Sequence, residues 1–107
     1  MELDAFNAGA LAAAPKLSIV TVIKDDLPSL ETTLASTHAL SQCSYEHWVI
    51  DGSSSSAVRE YLSRRGNLSW ISEPDSGIFD AMNKGLERAK GDFVLFLNAG
   101  DVISRAL

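Results

Sequence analysis

Each of four apolar runs in this 107-residue chain is followed closely by an acid: Asp25 and Asp26 after Leu17-Ser18-Ile19-Val20-Thr21-Val22-Ile23, Asp51 after Trp48-Val49-Ile50, Glu73 and Asp75 after Leu68–Ile71, and Asp101 after Phe93–Leu97. Carboxylates at these places support two chemistries. One is a divalent cation held by oxygen ligands and shared with the phosphate oxygens of a bound molecule. The other is a receiver-type phospho-acceptor domain, in which paired acids after the first strand help hold magnesium. The receiver pattern fails in detail. Glu73-Pro74-Asp75 lies in a Pro/Gly loop where the phospho-acceptor should stand, and no lysine follows a later strand.

Other site chemistries lack their residues. Lys24-Asp25-Asp26-Leu27-Pro28 after the first run contains no glycine, so the tight turn that lets a dinucleotide pyrophosphate approach is missing. There is no GxxxxGK phosphate loop. His38 falls in a helical stretch and His47 early in a strand, so neither suggests a Ser-His-acid arrangement and both read as structural or solvent-facing. Cys43 is the single cysteine, which excludes an internal disulfide and a four-thiolate metal centre. With 9 Lys/Arg against 14 Asp/Glu and a net charge of −5, the chain offers no basic stripe for nucleic acid.

The elements that must position the acids are legible from hydrophobic period and punctuation. Residues 1–16 form an Ala-rich lead-in that lacks the basic region of a secretory signal. Leu17–Ile23 is β-branched and nearly continuous, as in a strand covered on both faces. Pro28-Ser29 opens a helix carrying Leu30, Leu34 and Thr37 to about Leu40. Tyr45–Ile50 is a second strand, after which a hydroxyl of Ser53–Ser56 can cap a helix burying Val58 and Leu62. Gly66-Asn67 stops it, and a third strand runs over Leu68–Ile71. Beyond the loop Glu73–Gly77, the spacing predicts a helix with Ile78, Met82, Gly85 and Ala89 on one face, Leu86 beside it, and Asp80 and Lys84 paired on the outside. Gly91 ends it, and Phe93–Leu97 is the fourth strand. Strands alternating with helices predict an α/β fold with a mostly parallel, Rossmann-like sheet, whose ligands collect beyond the carboxyl ends of the strands. At 46% hydrophobic and 21% charged residues, the chain has the balance of one small globular domain.

Four blocks in order resemble glycosyltransferase family 2: Ser18-Ile19-Val20-Thr21-Val22; Val49-Ile50-Asp51-Gly52-Ser53; Ser72 through Gly85, reading SEPDSGIFDAMNKG; and Gly91 through Asp101, reading GDFVLFLNAGD. The branch they are most similar to includes colanic-acid and other exopolysaccharide sugar transferases. The resemblance spans about Leu17 to Asp101 and implies a GT-A fold, a UDP-sugar or other nucleotide-diphosphate sugar as donor, and Mn²⁺ or Mg²⁺. It implies that Asp51 contacts the base, usually uracil, and that Val22 and Lys24 lie near base and ribose. It further implies that Asp75, Gly77 and Asp80 line the nucleotide side and that Asp101 holds the metal. The chemistry suits these roles, since a carboxylate accepts the N3–H of uracil and a cation at the pyrophosphate offsets the charge of the leaving nucleotide. Asn83 and Lys84 can reach phosphate or form a solvent-facing surface, and Gly85 reads as a close-packing glycine.

Two departures from the family pattern are visible. At the metal loop the chain reads Asn98-Ala99-Gly100-Asp101, so one carboxylate must serve. Family members also continue well past this point into a half that builds the acceptor site, so no catalytic residue is assignable here and the general base is expected beyond Leu107. The expectation for residues 17–107 is therefore the donor-binding half of an inverting transferase acting on a glycan or lipid-linked acceptor. The rival expectation is a noncatalytic nucleotide-binding or interaction remnant of such an enzyme. Either leaves sheet surface exposed, to be met by the missing half or by self-association. The expected compartment is the cytoplasm, with the inner face of the membrane as the place of work on a lipid-linked acceptor, although no stretch forms an amphipathic anchor.

Overall fold

The computed structural model describes residues 15–104, so the Ala-rich lead-in lies outside the described residues except for Pro15 and Lys16. Four strands form one parallel sheet: β1 (Leu17–Ile23), β2 (Tyr45–Asp51), β3 (Ser69–Ser72) and β4 (Phe93–Phe96), in the order β3-β2-β1-β4. The helices are α1 (Leu27–Ser36), α2 (Ala57–Leu62) and α3 (Ile78–Arg88), with a 3₁₀ turn over Thr37–Leu40. The parallel α/β architecture expected from the alternation is present. The first helix stops four residues early, because the chain tightens into the 3₁₀ turn.

β1 lies inside the sheet, which explains its nearly continuous apolar run: one face meets α1 and α2, the other meets α3. Successive side chains alternate between these faces. Ile23 and Val49 pack with Leu30, Leu34, Val58 and Leu62 on one face, and Val20 and Ile50 pack with Ala81 on the other. Burial of His47 on the first face leaves its ring 2.7 Å from Thr21 Oγ1 and pushes its pKa down to about 4, so the imidazole is neutral at pH 7.

α1 starts where Asp26 accepts the Ser29 N–H at 3.3 Å, and Pro28 sits in the first turn, where no amide donor is needed. The serine cap expected for α2 is slight. Ser56 occupies the cap position without bonding a backbone amide; its hydroxyl donates to Glu60 at 2.9 Å, while Ser55 Oγ accepts the Ala57 N–H at 3.4 Å.

The buried face of α3 differs from the one the spacing predicts. Ala81 and Gly85 face the sheet, whereas Ile78 and Leu86 are each 48% exposed. The cause is close approach: a Cβ on Gly85 would stand 2.3 Å from Val20 Cγ1, so the helix settles on its two smallest residues and its larger apolar side chains turn to the flanks. Its C-terminal end is tied to the sheet through Glu46, whose carboxylate accepts from Ser18 Oγ at 2.6 Å and from the Lys90 N–H at 2.6 Å.

Candidate functional site

The strand ladders continue past the strands and hold the loops at the carboxyl edge in register. The Gly52 N–H donates to Ile23 O at 3.0 Å, the Glu73 N–H to Asp51 O at 3.0 Å, and the Ala99 N–H to Val22 O at 3.1 Å. All four acid-bearing loops are thereby fixed to one end of the sheet.

Between the first and third of these loops lies a cleft of about 190 Å³ lined by Val22, Lys24, Asp75, Gly77 and Ile78. Four of the six residues assigned to the nucleotide side from the sequence are thus brought together. Val22 and Ile78 supply apolar wall, Lys24 an ammonium, and Asp75 a carboxylate. Asp75 Oδ1 accepts the Gly77 N–H at 3.0 Å. Its side chain lies over Gly52, where an added Cβ would come within 2.1 Å of Oδ2. Gly77 has φ +131°, a conformation that glycine adopts without strain, and this turns the chain into α3.

Asp51 and Asp80 are placed differently. Asp51 is 1% exposed, and its two oxygens accept from the Ser53 N–H at 2.9 Å and from Ser72 Oγ at 2.8 Å. It underlies the loops without lining the cleft. Asp80, in the first turn of α3, accepts the Ser76 N–H at 2.9 Å and so shapes the loop from behind.

Asp101 follows β4, outside the cleft lining. Its Oδ2 accepts the Asn98 N–H at 3.0 Å, closing a small turn, and the Gly100 N–H is held by Ser29 O at 3.1 Å and Thr33 Oγ1 at 2.8 Å. Asn98 Oδ1 in the same turn is buried without a hydrogen-bond partner. Among the described residues, no group of three or more His, Cys, Asp or Glu side chains is arranged to hold a metal ion. The Asp101 carboxylate and the unsatisfied Asn98 amide oxygen, three residues apart in this turn, are both hard oxygen donors of the type that Mg²⁺ or Mn²⁺ takes.

Two further acids are structural. Asp26 caps α1, and Asp25, at φ +52°, staples two loops together. Its carboxylate accepts from the Ser54 N–H, Ser54 Oγ and the Ser55 N–H, while its own N–H donates to Ser53 Oγ at 2.7 Å. The Ser54 amide and hydroxyl and the Ser55 amide hold the Asp25 carboxyl below the usual carboxylate range, with Lys24 adding to the effect against a small desolvation penalty.

Sequence reasoning missed this staple, along with Ser72 and Ile78. Ser72 has a findable signal, since it stands directly opposite Asp51 in the β2–β3 register. The Asp25 contact reaches 29 residues along the chain and carries no local pattern.

Residues 18–106 match the family described as Glycosyl transferase family 2. Two Mycobacterium tuberculosis proteins, from strains CDC 1551 and H37Rv, each described as an uncharacterized glycosyltransferase, are 41% identical over 97 residues. The aligned region covers 88% of this chain and 37% of each relative, so the chain spans little more than a third of their length.

Among solved structures, S. aureus TarS superposes with a TM-score of 0.69 at 23% identity, over 84% of this chain and 17% of TarS. Mannosyltransferase PcManGT from Pyrobaculum calidifontis, solved with GDP-Man and Mn²⁺, superposes with a TM-score of 0.66 at 23% identity, over 82% of this chain and 28% of its own. These likenesses establish the fold, which is that of the GT-A glycosyltransferases. By the extent of the family match and the identity to its relatives, the chain belongs to glycosyltransferase family 2.

Proposed function

We propose that the carboxyl edge of the sheet binds the nucleoside diphosphate of a sugar donor, and that residues 17–107 form the donor-binding part of an inverting glycosyltransferase. The observation that carries this reading is the cleft that joins Val22, Lys24, Asp75 and Gly77 beyond the ends of β1 and β3. A nucleobase is a flat, largely apolar ring with polar edges. Val22 and Ile78 offer it wall, the Asp75 carboxylate accepts an N–H from its edge, and Lys24 reaches ribose or phosphate oxygens. Asp51 acts by holding the Ser53 amide and the Ser72 hydroxyl in place on either side of Gly52 and the β3 end, so its contribution to base binding is to position these loops.

Asp101 and Asn98 would hold the divalent cation, which supplies charge stabilisation at the pyrophosphate when bound. PcManGT with GDP-Man and Mn²⁺, and TarS residues 1–349 with UDP, are folds of this kind holding such ligands. In the parent reaction an acceptor hydroxyl oxygen bonds to the anomeric carbon as the bond to the nucleoside diphosphate breaks. The base that takes the hydroxyl proton and the groups that select the glycan or lipid-linked acceptor belong to sequence beyond Leu107. The exposed apolar side chains of β4, Phe93, Leu95 and Phe96, mark the sheet edge where the rest of a longer family member would join.

Calorimetry with UDP tests the reading. Saturable binding strengthened by Mg²⁺, and weakened about tenfold by Lys24→Ala or Asp75→Ala, is the expected result. Loss of the Mg²⁺ effect alone is expected for Asp101→Ala. No heat of binding from the folded wild-type chain would overturn the proposal.

A further inference from the structure

Lys84 pairs with Asp80 as its spacing predicts, but it does not face outward and Asp80 is not its nearest partner. Its side chain is only 19% exposed and reaches back across the β3–α3 loop, where Nζ stands 2.9 Å from Glu73 Oε2 and donates to Pro74 O at 2.9 Å; Asp80 Oδ2 is the distant partner at 3.9 Å. The residue that follows, Gly85, is a point of close approach between α3 and β1, where an added Cβ would stand 2.3 Å from Val20 Cγ1. One end of Lys84 is therefore rooted where the helix cannot shift without striking Val20, and the other end grips the two residues that precede Asp75. We propose that Lys84 is a positioning residue that sets the Asp75–Gly77 wall of the cleft, converting the fixed seat of α3 into a fixed loop geometry.

The rest of the loop depends on such an anchor. Pro74 cannot donate a backbone hydrogen bond, and among the described residues the bonds of the Ser76 and Gly77 amides go only to the side chains of Asp80 and Asp75, within the loop and the first turn of α3. The Glu73 N–H is the last tie to the sheet. The Ala81 N–H bonds Gly77 O at 3.1 Å where the helix begins, and among the described residues Lys84 is what connects the loop backbone before Gly77 to a point beyond the first turn of the helix. The hydrogen bond that Lys84 donates to Glu73 is the main cause that raises the Lys84 pKa, opposed by partial burial and helped by the charges of Glu73, Asp80 and Asp75, so the clamp stays protonated throughout the neutral range.

The inference rests on the proposed nucleotide site for its functional meaning, and two readouts keep them apart. Amide hydrogen exchange on the free chain is the first. Lys84→Met should speed exchange at Ser76 and Gly77 about tenfold while leaving Leu97 and the amide of Ala89, which caps α3, unchanged, and Lys84→Arg should restore most of the protection. Unchanged exchange at Ser76 and Gly77, or acceleration spread over the whole chain, would overturn the clamp. If Lys84→Met does not fold, Glu73→Gln decides the matter: localised loss at the same two amides supports the clamp, and no loss there refutes it. UDP affinity is the second readout. Lys84→Met should weaken UDP about fivefold with Lys84→Arg close to wild type. A wild-type chain that ignores UDP would sink the nucleotide site, while the exchange result would still decide whether Lys84 holds the loop.

Discussion

The carboxylates at the strand ends look interchangeable in the sequence and have separate tasks in the structure. Asp26 caps a helix, Asp25 joins two loops, Asp51 supports from below, and Asp75 faces the cleft. Gly52 is the residue on which this division turns, because Asp75 occupies the space a side chain there would need. Gly52→Ala is expected to displace Asp75 and weaken UDP about tenfold or more while the chain remains folded, measured by calorimetry beside a thermal melt.

His47 sets a second test. Its pKa is about 4 in the folded chain and 6.5 for a free imidazole, so the unfolded chain takes up the proton first as pH falls. Stability is then fully present above pH 6.5 and is lost progressively down to about pH 4, by about 3 kcal/mol over that window. Denaturant melts between pH 7 and 4 should show this slope in the wild type and a nearly flat profile in His47→Gln. The Asp25 carboxyl adds its own loss lower down, because its folded pKa lies under the ordinary 3.8 and its stabilisation disappears only as pH falls below that value. Asp51's position in the motif was plain from the sequence, whereas its burial was not, since Ser72 reaches it from another strand.

At the scale of elements, α3 is the part that aligns cleft and sheet. Its seat on Ala81 and Gly85 was half legible: Gly85 reads as a packing residue from its place in an amphipathic helix, but the 3.6-residue period favours Ile78 and Leu86 as buried, and only the distance to Val20 shows why they are not. Gly85→Ala separates the two influences. Alanine raises helix propensity by about 1 kcal/mol, while a Cβ 2.3 Å from Val20 demands a shift of helix or strand. Overpacking of this kind costs about 1–3 kcal/mol, so the variant should melt lower in spite of its better helix former. A higher melting temperature would show that α3 moves freely over β1. The other helices were read correctly in kind, because Leu30, Leu34, Val58 and Leu62 recur at helical spacing and all four are buried. Strand order, in contrast, is a long-range property: nothing local in Phe93–Phe96 says that it pairs with β1.

For the whole molecule, the sheet divides into a closed side and an open one. β1 and β2 are covered on both faces, while on β4 Phe93 is 62% exposed and Leu95 and Phe96 are 37% exposed each. No helix among the described residues is long and apolar enough to cross a membrane. The donor binding proposed above belongs to the carboxyl end of the sheet, where the four loops lie, and does not call on the exposed apolar side chains of β4. The account therefore makes its sharpest demand at the cleft. Amide NMR of this chain titrated with UDP in the presence of Mg²⁺ tests it most directly. The predicted result is saturable shifts at Val22, Lys24, Gly52, Ser76, Gly77 and Ile78 together with a metal-dependent group at Asn98–Asp101, and little change on β4. Well-dispersed spectra that do not respond to UDP, or shifts confined to β4, would contradict it.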